Sequence, residues 1–283
     1  MKSLLGQNGL EKVSWELLLI DNNSSDTTPD VVKNFEAALP LRYVFEGAQG
    51  LSAARNRALQ EFRGDILIFT DDDVVLDPSW LAVYDNALNQ FPEADYFGGR
   101  ILPLWQDDKP NWLRDPSMAL ISGLLGHYDL GKNNRWFRDD DPLPFGANFA
   151  LRRELGERME PFRLDLGVKG GSSGRGEEAE YLGRVQRTGA KGAYVGTAVA
   201  YHAQDSRRFK VGFLYRYGIE KGRAAALMSG QAGGSNATQL LFAVRGLGQL
   251  LRGRGDRFRQ CIINMGIQRG LTLERARSQA TRQ

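Results

Sequence analysis

Cysteine is nearly missing from this chain: Cys261 is the single one among 283 residues. That excludes an internal disulfide and a multi-cysteine zinc site, and it fits a reducing compartment. Cys261 itself lies in an apolar helical stretch, Cys-Ile-Ile-Asn-Met, and reads as packing. Long apolar runs are also lacking, with nothing near the roughly 18 residues of a membrane-spanning helix. The opening stretch Met-Lys-Ser-Leu-Leu-Gly-Gln-Asn-Gly turns polar too soon for a signal peptide. Histidine is scarce, limited to His127 and His202. The hydrophobic fraction of 42% and charged fraction of 25% are those of a soluble globular protein, and the length admits one large α/β domain with a tail.

Net negative charge is lacking overall, but the net charge of +3 conceals two opposed halves. Residues 203–283 carry 15 Lys/Arg against 4 Asp/Glu, while residues 1–202 carry 22 against 30. Such segregation suggests that the tail faces an anionic partner.

What is present is most informative at residues 66–76, Ile-Leu-Ile-Phe-Thr-Asp-Asp-Asp-Val-Val-Leu. A greasy strand ends in three consecutive carboxylates, Asp71, Asp72 and Asp73. Like charges this close make each other's ionisation harder. A divalent cation relieves the repulsion, and oxygen ligands suit Mg²⁺ or Mn²⁺. Strand ends in α/β sheets are also where ligands bind. Asp77, by contrast, is explained as a turn or cap residue before Pro78, Ser79 and Trp80.

Around this strand the pattern alternates. Strands are expected at 15–20, 41–45, 66–70, 96–104, 145–151 and 193–201, and helices at 29–39, 51–62 and 78–91. Alternation of this kind means βαβ units and a mainly parallel sheet flanked by helices. Residues 105–145 are irregular and rich in Trp, Pro and Asp. Residues 166–176 form a glycine-rich loop, and a helix begins at Glu177. Beyond His202 the chain is helical and basic.

Six segments in order carry a resemblance: Leu-Leu-Ile-Asp21-Asn-Asn-Ser-Ser-Asp26, Gly50-Leu-Ser-Ala-Ala-Arg55-Asn56, Phe-Thr-Asp71-Asp-Asp73, Gly146-Ala-Asn-Phe-Ala-Leu-Arg152-Arg, Gly176-Glu177-Glu178, and Val-Ala-Tyr-His202. Together they resemble the family 2 glycosyltransferases of the GT-A fold. The resemblance covers about residues 3–225, which gives a GT-A domain at 1–225 and a helical basic extension at 226–283.

The resemblance implies that Asp21 and Arg55 contact the nucleotide base. Asp71, Asp72 and Asp73 match the Asp-X-Asp motif, with Asp71 on the ribose side, Asp72 in the middle and Asp73 on a divalent metal, Mg²⁺ or Mn²⁺. Glu178 matches the general base, with Glu in place of the commoner Asp, and His202 matches a histidine that completes the metal shell. Trp112, Asn148 and Glu177 are candidate acceptor contacts. The implied activity is inverting transfer of a sugar from a nucleotide-diphosphate sugar to an acceptor hydroxyl, in polysaccharide or glycolipid synthesis. The family pattern opens with a strand and a nucleotide-touching loop; this chain starts in the helix that follows them, ending near Gln7, so the first strand is missing from the pattern.

Two rivals remain at this stage. A haloacid-dehalogenase-type phosphatase also carries Asp-X-Asp after an apolar strand, but on its first strand. A catalytically silent nucleotide-sugar-binding protein would keep the donor site without turnover. In the tail, Leu240-Leu241-Phe242, Leu250-Leu251 and Ile262-Ile263 sit among arginines, as in helices that lie on anionic membranes. The expectation is a cytoplasmic protein, peripheral at the inner membrane face, acting on a carbohydrate or lipid-linked acceptor. Nucleic acid is not expected, because no binding motif accompanies the basic residues.

Overall fold

In the computed structural model, residues 1–106, 109–113, 119–167, 176–229 and 233–280 are described. Two compact units emerge. The first joins Met1–Pro103, Tyr128–Asp165 and Glu177–Ala203; the second joins Leu104–His127, Leu166–Gly176 and Gln204–Gln283. In chain order the elements are α1 (Lys2–Leu5), β1 (Leu17–Asp21), α2 (Thr28–Lys33), β2 (Leu41–Phe45), α3 (Leu51–Glu61), β3 (Ile66–Phe69), β4 (Val74–Leu76), α4 (Trp80–Gln90) and β5 (Tyr96–Trp105). Then come α5 (Ala119–Leu125), β6 (Arg135–Trp136), β7 (Phe149–Arg152), α6 (Arg153–Arg158), α7 (Glu177–Arg187), β8 (Gly192–Gln204), α8 (Val211–Ser229), α9 (Asn236–Leu251) and α10 (Gly255–Ala280).

The sheet is mixed. β1 and β2 pair in parallel, Leu17 opposite Leu41 through Asp21 opposite Phe45. The larger sheet has the order β3-β7-β5-β8-β4, with β6 also on β8. β7 runs antiparallel to both β3 and β5, so those two strands share a direction with β7 inserted between them. β4 was not expected from sequence. Only Val74–Leu76 long, it lies against β8 and pairs Val74 with His202.

Period-two alternation sends the side chains of each strand to two different cores. Leu17, Ile66 and Ile68 pack on a cluster around Trp80, Tyr84 and Phe97. Leu18, Ile20 and Leu67 pack on another with Phe69, Phe149, Phe162 and Tyr181. β1 and β3 therefore feed the same two layers, although among the described residues β1 is paired only with β2 and β3 only with β7. The opening strand that the family resemblance leads one to expect is not among the strands described.

α4 starts at Trp80, two residues after Pro78. The Asp77 carboxylate accepts from the Ser79 amide at 3.0 Å and the Ser79 hydroxyl at 2.7 Å, as a helix-entry residue does. α2 is shorter than its apolar spacing predicts and ends at Lys33, with turns rather than helix up to Leu39. Of the glycine-rich loop, residues 168–175 lie outside the described residues.

In the second unit, Leu113, Leu124, Leu125, Phe209, Leu214, Tyr217 and Ile263 form the core. α8 and α10 meet along a seam of glycines, Gly218 and Gly222 against Gly266 and Gly270. A Cβ built on Gly218 would fall 2.1 Å from the Ile263 carbonyl oxygen, and one on Gly266 would fall 2.2 Å from that of Tyr215. Small residues four apart let the two backbones touch, so α8 joins the tail rather than the first unit. The sequence division at residue 225 thus moves to Gln204. Gly266→Ala is expected to lower the stability of this unit by about 1–3 kcal/mol, the usual range for overpacking a rigid contact. Urea melts followed by circular dichroism check it; no change in midpoint would mean the seam yields.

Candidate active site

The site lies in the first unit, where β1, β3, β4 and the N-termini of α3 and α7 contribute polar side chains. Asp21 ends β1 and is 3% exposed. Its Oδ1 accepts from the Ser24 amide at 2.9 Å, and Tyr43 on β2 donates its hydroxyl to Oδ2. Burial acts to raise its pKa, but these hydrogen bonds outweigh it and hold the carboxyl below its usual value. The neighbouring Asn22 ties the loop to α3: its Oδ1 accepts from the Gly50 amide at 2.6 Å, and its Nδ2 donates to the Ala48 carbonyl at 2.7 Å. Gly50, at φ 135°, makes the turn into α3 in a region that side-chain-bearing residues avoid.

Arg55, one turn into α3, is 5% exposed and reaches the start of α7. Its Nη1 donates to Glu177 Oε1 at 2.7 Å and lies 3.7 Å from Glu178 Oε2. Its guanidinium sits over the Phe149 and Phe162 rings at 5.9 and 5.7 Å. Gly146 leaves the room it needs, since a Cβ there would come within 2.0 Å of Arg55 Nη2. Burial disfavours the charge, but Glu177, Glu178 and Asp71 together more than restore it, so the pKa of Arg55 is raised.

Glu177 is buried, and its Oε2 has no hydrogen-bond partner. Desolvation first, then the charge of Glu178, drives its pKa well above the carboxylate range against the pull of Arg55. Glu178 next to it is more open, with 22% of its side chain exposed. Both occupy the first turn of α7, where the helix dipole favours negative charge.

Asp71 is the meeting point. Its pKa is raised to about 6 by burial foremost, opposed by Arg55 and helped by Asp73, Glu178 and Asp72. The same carboxyl thus senses both Asp73 and Glu178. Asp72 is exposed, whereas Asp73 is half-buried. Antiparallel pairing of β4 with β8 brings His202 to Asp73: Ala203 donates its amide to the Asp73 carbonyl at 3.1 Å, and His202 Nε2 lies 3.5 Å from Asp73 Oδ1. Among the described residues no group of three or more His, Cys, Asp and Glu could hold a metal. One carboxylate and one imidazole, with Asp73 37% exposed, instead match a cation that takes its remaining ligands from phosphates and water. The donor set fits a divalent ion.

Several expected contacts are corrected. Asn148 is fully buried: its Oδ1 accepts from Trp80 Nε1 at 2.9 Å and the Tyr84 hydroxyl at 2.8 Å, and its Nδ2 donates to the Arg100 and Ala198 carbonyls at 2.9 Å each. With its hydrogen-bonding capacity used, it knots the core and does not meet an acceptor. Glu177 is likewise enclosed and held by Arg55. Arg55 itself is engaged by that carboxylate. Trp112 belongs to the second unit, where Arg259 lies 4.3 Å from the ring centroid and Phe209 meets it edge-on at 5.8 Å. That is packing of the loop. Tyr43 was not singled out from sequence, and Gly146 only as the first residue of a matched segment, because their roles exist across paired strands or against a side chain 91 positions away.

With this geometry in view, comparison with known proteins is specific. The family model described as glycosyl transferase family 2 matches residues 1–159, more than half of the chain. The succinoglycan biosynthesis protein ExoM of Rhizobium meliloti is 24% identical over 236 residues, covering 80% of this chain and 70% of that protein. The glucosyl-dolichyl phosphate glucuronosyltransferase of Haloferax volcanii is 23% identical over 151 residues, 52% of this chain; the chain spans only 45% of that relative. Among solved structures, the mannosyltransferase PcManGT of Pyrobaculum calidifontis, in complex with GDP-Man and Mn²⁺, aligns with a TM-score of 0.58 at 19% identity, over 95% of this chain and 81% of that one. TarS 1–349 of S. aureus, in complex with UDP, aligns at 0.51 with 14% identity, over 99% and 86%. These likenesses establish a GT-A fold. The order of acidic and basic side chains along α3, β3 and α7 and the match over the first 159 residues agree: the protein belongs to glycosyl transferase family 2.

Proposed function

We propose that the protein moves a sugar from a nucleotide-diphosphate sugar to an acceptor hydroxyl with inversion at the anomeric carbon. One observation carries this reading: Arg55 lies 2.7 Å from Glu177 and 3.7 Å from Glu178 while its charge also acts on Asp71, next to Asp73, so the acidic triplet and the start of α7 share one site. Glu178, the more exposed of the α7 pair, takes the proton from the incoming hydroxyl as the new glycosidic bond forms. Arg55 and Glu177 position it from beneath. Asp21, kept ionised by Tyr43 and Ser24, binds the nucleotide base, while Asp71 and Asp72 hold the ribose side. Asp73 and His202 would hold a divalent cation, which would supply charge neutralisation for the departing diphosphate. Attack from the face opposite that diphosphate needs no covalent glycosyl intermediate.

The acceptor we infer is a lipid-linked or polysaccharide glycan at a membrane face. The names of the Haloferax and Rhizobium relatives and the basic C-terminal stretch support it. Among the described residues no helix is long and apolar enough to cross a membrane.

A panel of nucleotide sugars, assayed for diphosphate release with Mg²⁺ or Mn²⁺, tests the catalytic reading. Wild type should release diphosphate only with metal, and Asp73→Ala should lose about 100-fold or more, as when charge stabilisation of a leaving group is removed. Donor binding without turnover would instead identify a silent binder. A phosphate-labelled aspartate would identify a phosphatase.

A further inference from the structure

The inference concerns α9, and it rests on the membrane placement above in one respect: it names the surface that makes the contact. α9 is 16 residues long, and its sequence Asn-Ala-Thr-Gln-Leu-Leu-Phe-Ala-Val-Arg-Gly-Leu-Gly-Gln-Leu-Leu contains no acidic residue. Leu240, Val244, Leu247 and Leu251 follow at steps of four, three and four, which places them in one stripe along the helix. All four are exposed, from 57% at Leu247 to 80% at Leu251, and Leu241 and Leu250 flank them, also exposed. Six large aliphatic side chains on one 16-residue helix are left to solvent. Isolated exposed leucines are ordinary on a protein surface, but a contiguous apolar stripe marks a docking surface.

The opposite side of α9 is already used. Gly246 is buried against α10, where a Cβ on it would lie 3.2 Å from that of Cys261 and 3.5 Å from the Phe258 ring. Arg245 and Gln249 line a cavity with Asp256, Arg257, Gln260, Cys261 and Asn264 of α10. A face packed on α10 thus backs a face that, among the described residues, is left exposed. Ser235 caps the helix by accepting from the Thr238 amide, so the helix has a start of its own.

The charge around the stripe selects its occupant. Arg245 lies on α9, Arg252 and Arg254 in the turn just after it and Arg257 at the start of α10, with Asp256 the single acid among residues 236–259. An apolar stripe rimmed by arginines matches a bilayer surface with anionic headgroups: the leucines enter the acyl boundary and the guanidinium groups remain among the phosphates. A second copy of this chain would instead bring the same arginines together. We infer that the Leu240–Val244–Leu247–Leu251 face of α9 seats the protein on an anionic lipid surface, parallel to the membrane plane.

Flotation of the full chain with vesicles tests this, using phosphatidylcholine alone and phosphatidylcholine mixed with phosphatidylglycerol. The expected result is flotation with the anionic vesicles, reduced by raised salt. The variant L240Q/V244Q/L247Q/L251Q, which keeps every charge and good helix formers, should lose partitioning by about tenfold or more, because four aliphatic burials are removed. Circular dichroism melts of the variant should match wild type, since the stripe is exposed among the described residues. If wild type floats and the variant floats equally well, α9 is not the contact although the membrane placement stands. If wild type does not float, both fail, and the diphosphate-release assay still judges the chemistry separately. If wild type is a dimer that the variant dissolves into monomers, the stripe is a subunit interface and the lipid assignment is overturned.

Discussion

Arg55→Met should lower the free energy of unfolding by about 3–5 kcal/mol, the usual cost of removing one partner from a buried ion pair. The guanidinium is the cation facing Glu177, Glu178 and Asp71, and its own side chain and that of Glu177 are 5% and 4% exposed. Removing it leaves three acidic groups in mutual repulsion and gives Glu177 Oε1 no donor. The loss should depend on pH with a definite sign. Glu177 already has a folded pKa raised above 4.5 by desolvation and by Glu178, and without Arg55 it rises further. The folded state then binds more protons than the unfolded one, so stability falls as pH rises from about 4.5 through the folded value. The variant should therefore recover part of its loss on acidification. Pairing the change with Glu177→Met should restore much of the stability, because an apolar pair of similar volume removes the uncompensated charge. Urea titrations of the two single variants and the double variant form a cycle. Strictly additive losses would mean that the 2.7 Å contact is not an interacting pair.

Glu178→Gln should reduce sugar transfer by about 100- to 10,000-fold, the range attributed to a positioned general base. Glutamine preserves the size of the side chain and leaves the Arg55–Glu177 bond in place, so folding and donor binding should stay within about threefold of wild type. The loss would then appear in the chemical step and not in the affinity for the nucleotide sugar, as expected for an interaction made in the transition state. Glu178→Asp shortens the reach by one methylene and should retain part of the rate. Single-turnover transfer and calorimetric donor binding distinguish these outcomes. A Gln variant that loses donor binding in proportion to its rate would make Glu178 a binding residue instead.

The candidate site could be read from the sequence because its parts sit at element ends. Asp21 closes β1, Asp71 to Asp73 follow β3, and Glu177 and Glu178 open α7. Period-two and helical apolar patterns mark where such elements stop, and in α/β sheets ligands gather at those stops. The same reasoning misjudged Asn148, since a polar residue in an apolar strand looks the same whether it faces a ligand or four buried partners. It also missed β4, whose three residues are too few to show an alternation.

By itself the sequence determined the order of the longer strands and helices of the first unit, the acidic triplet, the acidic start of α7 and the basic tail, all set by local periodicity, capping and charge. Tertiary structure decided the rest, because those outcomes depend on contacts between residues distant along the chain. His202 reaches Asp73 only through pairing of β4 with β8. Arg55 becomes the counter-ion of Glu177 only because α3 meets the start of α7, with Gly146 leaving space. In the second unit, backbone contact at the glycine seam joins α10 to α8, and one face of α9 packs on α10 while its leucines remain in solvent. No local pattern encodes which face of an apolar helix will find a partner; that is settled by what else the chain brings against it.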